Sequence, residues 1–164
     1  MNINSSQSKE SSTKRLLVID DEESLRFTLE SFLQDEGYLV TTAESFNKAE
    51  DLLQQSLFDL VFLDIQLGRH SGLDLLQIIR EKYNNCPVVM ITGAPDVSTA
   101  AEAVRKGAFD YIPKPIRQET LVRVAKIALK HKAVVDQREQ FRAHLSAIFD
   151  SVRDGILLVD QEQI

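Results

Sequence analysis

From Arg15 onward, short apolar runs alternate with stretches whose apolar residues recur three or four apart. LLVID (16–20) reads as a strand, LRFTLESFLQDEG (25–37) as a helix stopped by Gly37, and YLVTTA (38–43) as a second strand. A helix over 44–55 follows, then a third strand, FDLVFLD (58–64), and a helix, GLDLLQIIREKY (72–83). PVVMIT (87–92) is a fourth strand opened by a proline, which a strand tolerates at its first position. Residues 97–106 form a fourth helix, FDYI (109–112) a fifth strand, and a fifth helix starts at Gln118. LVFL and VVMI are apolar throughout, as strands are when helices cover both faces of a parallel sheet. Five strand–helix units in succession predict a doubly wound α/β domain with a parallel five-stranded sheet.

In such a sheet ligands bind at the carboxyl ends of the strands, where the winding reverses. The first strand ends on Asp20 and Asp21, the third on Asp64 and the fourth on Thr92, while Lys114 lies just past the fifth. Three carboxylates on one rim repel one another, and a divalent cation relieves that repulsion. An all-oxygen donor set favours a hard ion such as Mg²⁺. Singly, these residues have plainer readings. Asp20, Asp21, Glu22 and Glu23 suit the N-terminus of any helix, and an Asp after a strand is often a turn former. Lys114, between Pro113 and Pro115, sits on stiffened backbone. Their joint occurrence at successive strand ends is what points to one site.

The bulk numbers narrow the class. At 164 residues, 43% hydrophobic and 27% charged, the chain suits one globular domain with an appendage. Its formal charge of -6 argues against sequence-independent binding to nucleic acid, which relies on Lys and Arg neutralising phosphates. Cys86 is the single cysteine, so no internal disulfide forms, and a reducing cytoplasm is expected. No apolar run approaches the roughly 20 residues that span a bilayer, and MNINSSQSKESSTK lacks a signal-peptide core. The Ser-, Asn- and Gln-rich residues 1–13 are expected to be a disordered tail.

Together these motifs resemble the receiver domains of bacterial two-component response regulators. The resemblance covers 14–131: the acidic pair after strand one, Asp64 with Gly72 eight residues later, Thr92 after strand four, and GAFDYIPKP around strand five. It implies the flavodoxin-like strand order 2-1-3-4-5, which a chemotaxis member of this family shares. It also implies that Asp64 accepts a phosphoryl group from a sensor histidine kinase. Mg²⁺ is then held by Asp20, Asp21, Asp64 and the backbone carbonyl of Gln66, Lys114 and Thr92 act on the phosphoryl oxygens, and Thr92 and Tyr111 form the switch. Gly68 stands where many receivers have proline, so that loop is expected to be more mobile. His70, a lone histidine in a polar loop, is left outside the site. Gln66 and Ala94 occupy positions that tune the lifetime of the acyl phosphate in this family. Haloacid-dehalogenase phosphohydrolases also attack phosphate with an Asp after a parallel strand, but they carry a second Asp two residues on, where this chain has Gln66. A dinucleotide fold is excluded because no Gly-rich turn follows the first strand.

Between Ile116 and Asp154 there is neither Pro nor Gly, and apolar residues recur through Leu121, Val124, Ala128, Val135, Phe141, Leu145 and Ile148. One long helix is expected, with 132–144 as a linker. Self-association is expected through that helix or through the face of the fourth helix, fifth strand and fifth helix. HLSAIFDSVRDGILLVDQEQI resembles the start of a PAS sensor domain, placed at 145–164, with a strand ending at Asp160. A receiver followed by PAS occurs in transcriptional activators and in histidine kinases, and the activator arrangement is the expected one.

Overall fold

The protein's structure, a computed structural model, describes residues 13–161, with side chains through 153. The expected disordered tail, Thr13 excepted, therefore lies outside the described residues. The elements run β1 (Arg15–Ile19), α1 (Glu23–Gln34), β2 (Leu39–Ala43), α2 (Phe46–Gln55), β3 (Leu60–Asp64), β4 (Gln66–Leu67), β5 (His70–Ser71), α3 (Gly72–Lys82), β6 (Val88–Thr92), α4 (Val97–Arg105), β7 (Asp110–Pro113) and α5 (Gln118–Gln161). The main sheet has the order β2-β1-β3-β6-β7, all parallel, which is the flavodoxin-like 2-1-3-4-5 order of its five strands.

The uniformly apolar strands have a direct cause. Alternate residues of β1, β3 and β6 point to opposite faces, and both faces are covered. Leu17, Ile19, Val61, Leu63, Val88 and Met90 meet Leu53 of α2, Leu75 and Ile79 of α3 and Ala103 of α4. Leu16, Val18, Leu60, Phe62, Val89 and Ile91 meet Leu29 and Leu33 of α1 and Leu121, Val124 and Ala128 of α5. Each fully buried side chain of this size contributes about 1.5–3 kcal/mol relative to exposure. Local signals set the helix starts: Ser45 accepts from the Lys48 amide, Ser71 from Leu73, and Asp96 from Thr99.

The structure departs from the sequence pattern in three places. The two-stranded pair of β4 and β5 interrupts what read as a plain loop. Leu121, Val124 and Ala128 belong to the core rather than to a free seam; the large apolar residues that α5 exposes among the described side chains are Ile127, Val134, Phe141 and Ile148, spaced by seven, with Leu145, Phe149 and Val152. The strand expected to end at Asp160 is helical, because α5 continues to Gln161. A helix satisfies its backbone groups internally and needs no partner strand.

Candidate functional site

Register brings the predicted residues to one rim. Ile19 pairs with Leu63 across β1 and β3, so Asp20 and Asp64 are neighbours at the strand ends, at the point where the winding reverses. Asp64 pairs with Ile91 of β6, and Thr92 with Pro113 of β7, which sets Thr92 and Lys114 one step beyond. The Lys114 amide donates to the Thr92 carbonyl at 2.7 Å, extending that pairing outward.

Among the described residues, the buried polar or charged ones are Asp20, Asp64 and Thr92, at 0, 4 and 4% exposure. A buried carboxylate is costly unless paired, and here the pairing is shared. Lys114 Nζ lies 2.8 Å from Asp64 Oδ2 and 2.9 Å from Asp20 Oδ2. The Glu22 amide donates to Asp20 Oδ1 at 2.8 Å and the Gln66 amide to Asp64 Oδ1 at 3.0 Å. Asp21, exposed, accepts from the Gly68 amide at 3.2 Å. Arg26 Nη1 donates to the Asp20 carbonyl at 2.7 Å.

The electrostatics remain unbalanced. Asp20 has its pKa raised from 3.8 to about 6: burial drives it up, the Glu22 amide and Lys114 hold it down in part, and the negative Asp64 adds to the rise. Burial works against the Lys114 ammonium, yet its hydrogen bonds and attraction to Asp64 and Asp20 outweigh that and hold its pKa above the ordinary lysine value. Carboxylate oxygens of Asp20, Asp21 and Asp64 lie within 4.8 Å of one another. Asp20 Oδ2, close as it is to Lys114, accepts no well-directed hydrogen bond. An all-oxygen cluster of three carboxylates that share a single ammonium fits a hard divalent cation.

The close approach of β3 to α3 depends on Gly72. A Cβ there would sit 1.9 Å from the Asp64 carbonyl oxygen, and the Gly72 amide donates to the Ile65 carbonyl at 2.7 Å.

The residues 16–126 match the family described as the response regulator receiver domain. The chain belongs to that family. It is 40% identical over 145 residues to the alginate biosynthesis transcriptional regulatory protein AlgB of Pseudomonas aeruginosa, covering 87% of this chain and 31% of that protein. It is 38% identical to the nitrogen assimilation regulatory protein NtrX of Azorhizobium caulinodans, covering 70% of this chain and 26% of that one. The crystal structure of the receiver domain of NtrX from Brucella abortus superposes with a TM-score of 0.67 at 40% identity, covering 70% of this chain and 98% of that one. The chain spans under a third of the length of the curated relatives it matches.

Within this receiver, Asp20, Asp21, Asp64, Gln66 and Lys114 meet at the rim, and Thr92 ends the adjoining strand. The Thr92 hydroxyl accepts from the Ala94 amide at 3.2 Å, which leaves its proton free to be donated. Tyr111 packs against the core with a buried hydroxyl that has no hydrogen-bond partner. Two residues left outside the site belong to its wall: Arg69 and His70 line the same open cleft of about 720 Å³ as Asp21, Asp64, Gln66 and Lys114. His70 also stacks on Phe46, with ring centroids 5.1 Å apart. The turn signal that finds them is Gly68, whose φ of 60° allows the chain to reverse between β4 and β5. No described helix is long and apolar enough to cross a membrane.

Proposed function

We propose that this receiver takes a phosphoryl group onto Asp64 from a sensor histidine kinase in the cytoplasm and transmits the change through α5 to a transcriptional output module. The observation that carries the reading is the buried Asp20–Asp64 pair bridged by a single ammonium. A carboxylate nucleophile needs in-line positioning and neutralisation of the phosphoryl oxygens more than covalent help. The Gln66 amide and Lys114 orient Asp64. Its oxygen forms the new bond to phosphorus, and the donor's leaving group departs with the electron pair of the bond that breaks. Asp20, Asp21, Asp64 and the Gln66 carbonyl would hold Mg²⁺, which supplies positive charge against the phosphoryl oxygens. Lys114 supplies more, and Thr92 donates its hydroxyl to an oxygen present only after transfer. Position 66 has no carboxylate to activate water, which suits an aspartyl phosphate that persists as a signal.

As Thr92 is drawn to the new group, Tyr111, already set against the core with an unpaired hydroxyl, changes its packing, and the face of α4, β7 and α5 changes with it. Val97 and Val104, seven residues apart on α4 and 87 and 67% exposed, offer that face a self-association surface. The exposed stripe of α5 offers another. Residues 132–144 act as the connector from the receiver 14–131, and the PAS-like pattern of 145–164 marks where a following module would begin. The names of the relatives, transcriptional and nitrogen assimilation regulators, favour this arrangement over a receiver that precedes a histidine kinase.

Incubation with Mg²⁺ and acetyl phosphate, read by intact-mass spectrometry, tests the central claim. Wild type is expected to gain one phosphoryl group and Asp64→Asn none. Equal incorporation in both would remove Asp64 from the reaction.

A further inference from the structure

The cleft that holds Asp64 and Lys114 is also lined by an arginine that the transfer chemistry above does not use. Arg69 and His70 lie on it, at the tip and along one arm of the β4–β5 hairpin. Leu67 pairs with His70 across that hairpin, so Gly68 and Arg69 form a two-residue turn. Three ties hold the turn over the carboxylates. Leu67 is buried at 3% exposure, the Gly68 amide donates to Asp21 Oδ2 at 3.2 Å, and the His70 ring rests on Phe46 at the start of α2. Arg69 makes no ion pair with any acidic group among the described residues, although Asp21, Glu22 and Asp64 line the same cleft. An exposed arginine on a held turn at the rim of an acidic cleft, with no ion pair among the described residues, has its charge available to an incoming anion.

We propose that Arg69 is the donor-selecting cation of this receiver, placed by the stacking of His70 on Phe46, and that it favours dianionic acyl phosphates over donors carrying less negative charge. The proposal rests on the phosphoacceptor reading of Asp64. Arg69 attracts the donor, and His70 and Phe46 are positioning residues that set where that charge stands. In the step itself the Asp64 oxygen bonds to phosphorus, the phosphorus–oxygen bond to the acyl group breaks, and the carboxylate leaves with its electron pair.

The test uses the full chain with Mg²⁺, measuring second-order rate constants for phosphorylation by acetyl phosphate and by phosphoramidate, which carries one negative charge fewer. Arg69→Gln is expected to slow acetyl phosphate about threefold to fivefold, the scale of one partly screened charge, and phosphoramidate distinctly less. The deficit should vanish near 1 M salt, where the screening length falls to about 3 Å. Arg69→Lys should restore most of the rate, because the charge and not the fork geometry is at work. His70→Leu and Phe46→Ala should reproduce the acetyl phosphate deficit with Arg69 intact, and circular dichroism would show them folded. Unchanged donor preference in Arg69→Gln, or an equal loss with both donors that persists in salt, would overturn the assignment. Absence of incorporation into wild type would sink the phosphoacceptor reading and this one with it; normal incorporation with an unaltered Arg69→Gln sinks this one alone.

Discussion

Replacing Asp20 by Asn should make the metal-free protein more stable at neutral pH, although it removes a buried group at the heart of the site. Asp20 is fully buried, and its pKa rises from 3.8 to about 6, with burial as the main cause and the negative Asp64 adding to it. A folded-state pKa above the unfolded one means that the native state binds the proton more tightly. Stability is then fully present below pH 3.8 and is lost as pH climbs through 6. At about 1.4 kcal/mol for each tenfold change in proton affinity, the loss from Asp20 is about 3 kcal/mol. Asn keeps the shape and stays neutral, and Lys114 retains Asp64 as its partner at 2.8 Å. The difference between Asp20→Asn and wild type should therefore grow between pH 4 and pH 7 toward about 3 kcal/mol, a shift in melting temperature on the order of 10 °C. Urea unfolding in chelator across that range measures it. Adding Mg²⁺ should then raise wild-type stability, since binding to the native state stabilises by mass action, and raise Asp20→Asn or Asp21→Ala far less. A stability difference that stays flat from pH 4 to pH 7 would refute the reasoning, because it would show that Asp20 does not titrate there.

Gly72→Ala is expected to cost more than about 3 kcal/mol or to prevent folding, since its Cβ would meet the Asp64 carbonyl at 1.9 Å and that backbone cannot yield without moving the site; thermal unfolding checks this. Beryllofluoride, a stable mimic of the phosphoryl group, should change the sedimentation profile of wild type but not of Thr92→Ala. Identical profiles with and without it in wild type would show that the α4–β7–α5 face and the α5 stripe do not respond to the site.

The alternation of apolar runs with three-to-four spacing was sufficient to specify a doubly wound α/β sheet, because burial on both faces leaves strands such as LVFL no polar positions. It also specified which side chains gather, since Asp20, Asp64, Thr92 and Lys114 all sit at strand ends and the winding rule sends strand ends to one rim. Pairing decided the rest. That Lys114 reaches both carboxylates, at 2.9 and 2.8 Å, follows from the register of β3, β6 and β7, which no local pattern encodes. Whether an apolar position faces the core or water also needed the fold: Leu121, Val124 and Ala128 are buried because the sheet lies beneath them, while Phe141 and Ile148, with similar spacing, are covered by nothing among the described residues. His70 reads as a lone histidine in a polar loop, and no local signal marks Arg69; the β4–β5 hairpin sets both on the cleft wall. At the far end, residues patterned for a strand became helix, because a strand requires a neighbour and a helix requires only itself. Local pattern thus determined the elements and the chemistry at their ends, and tertiary pairing determined the distances through which that chemistry acts.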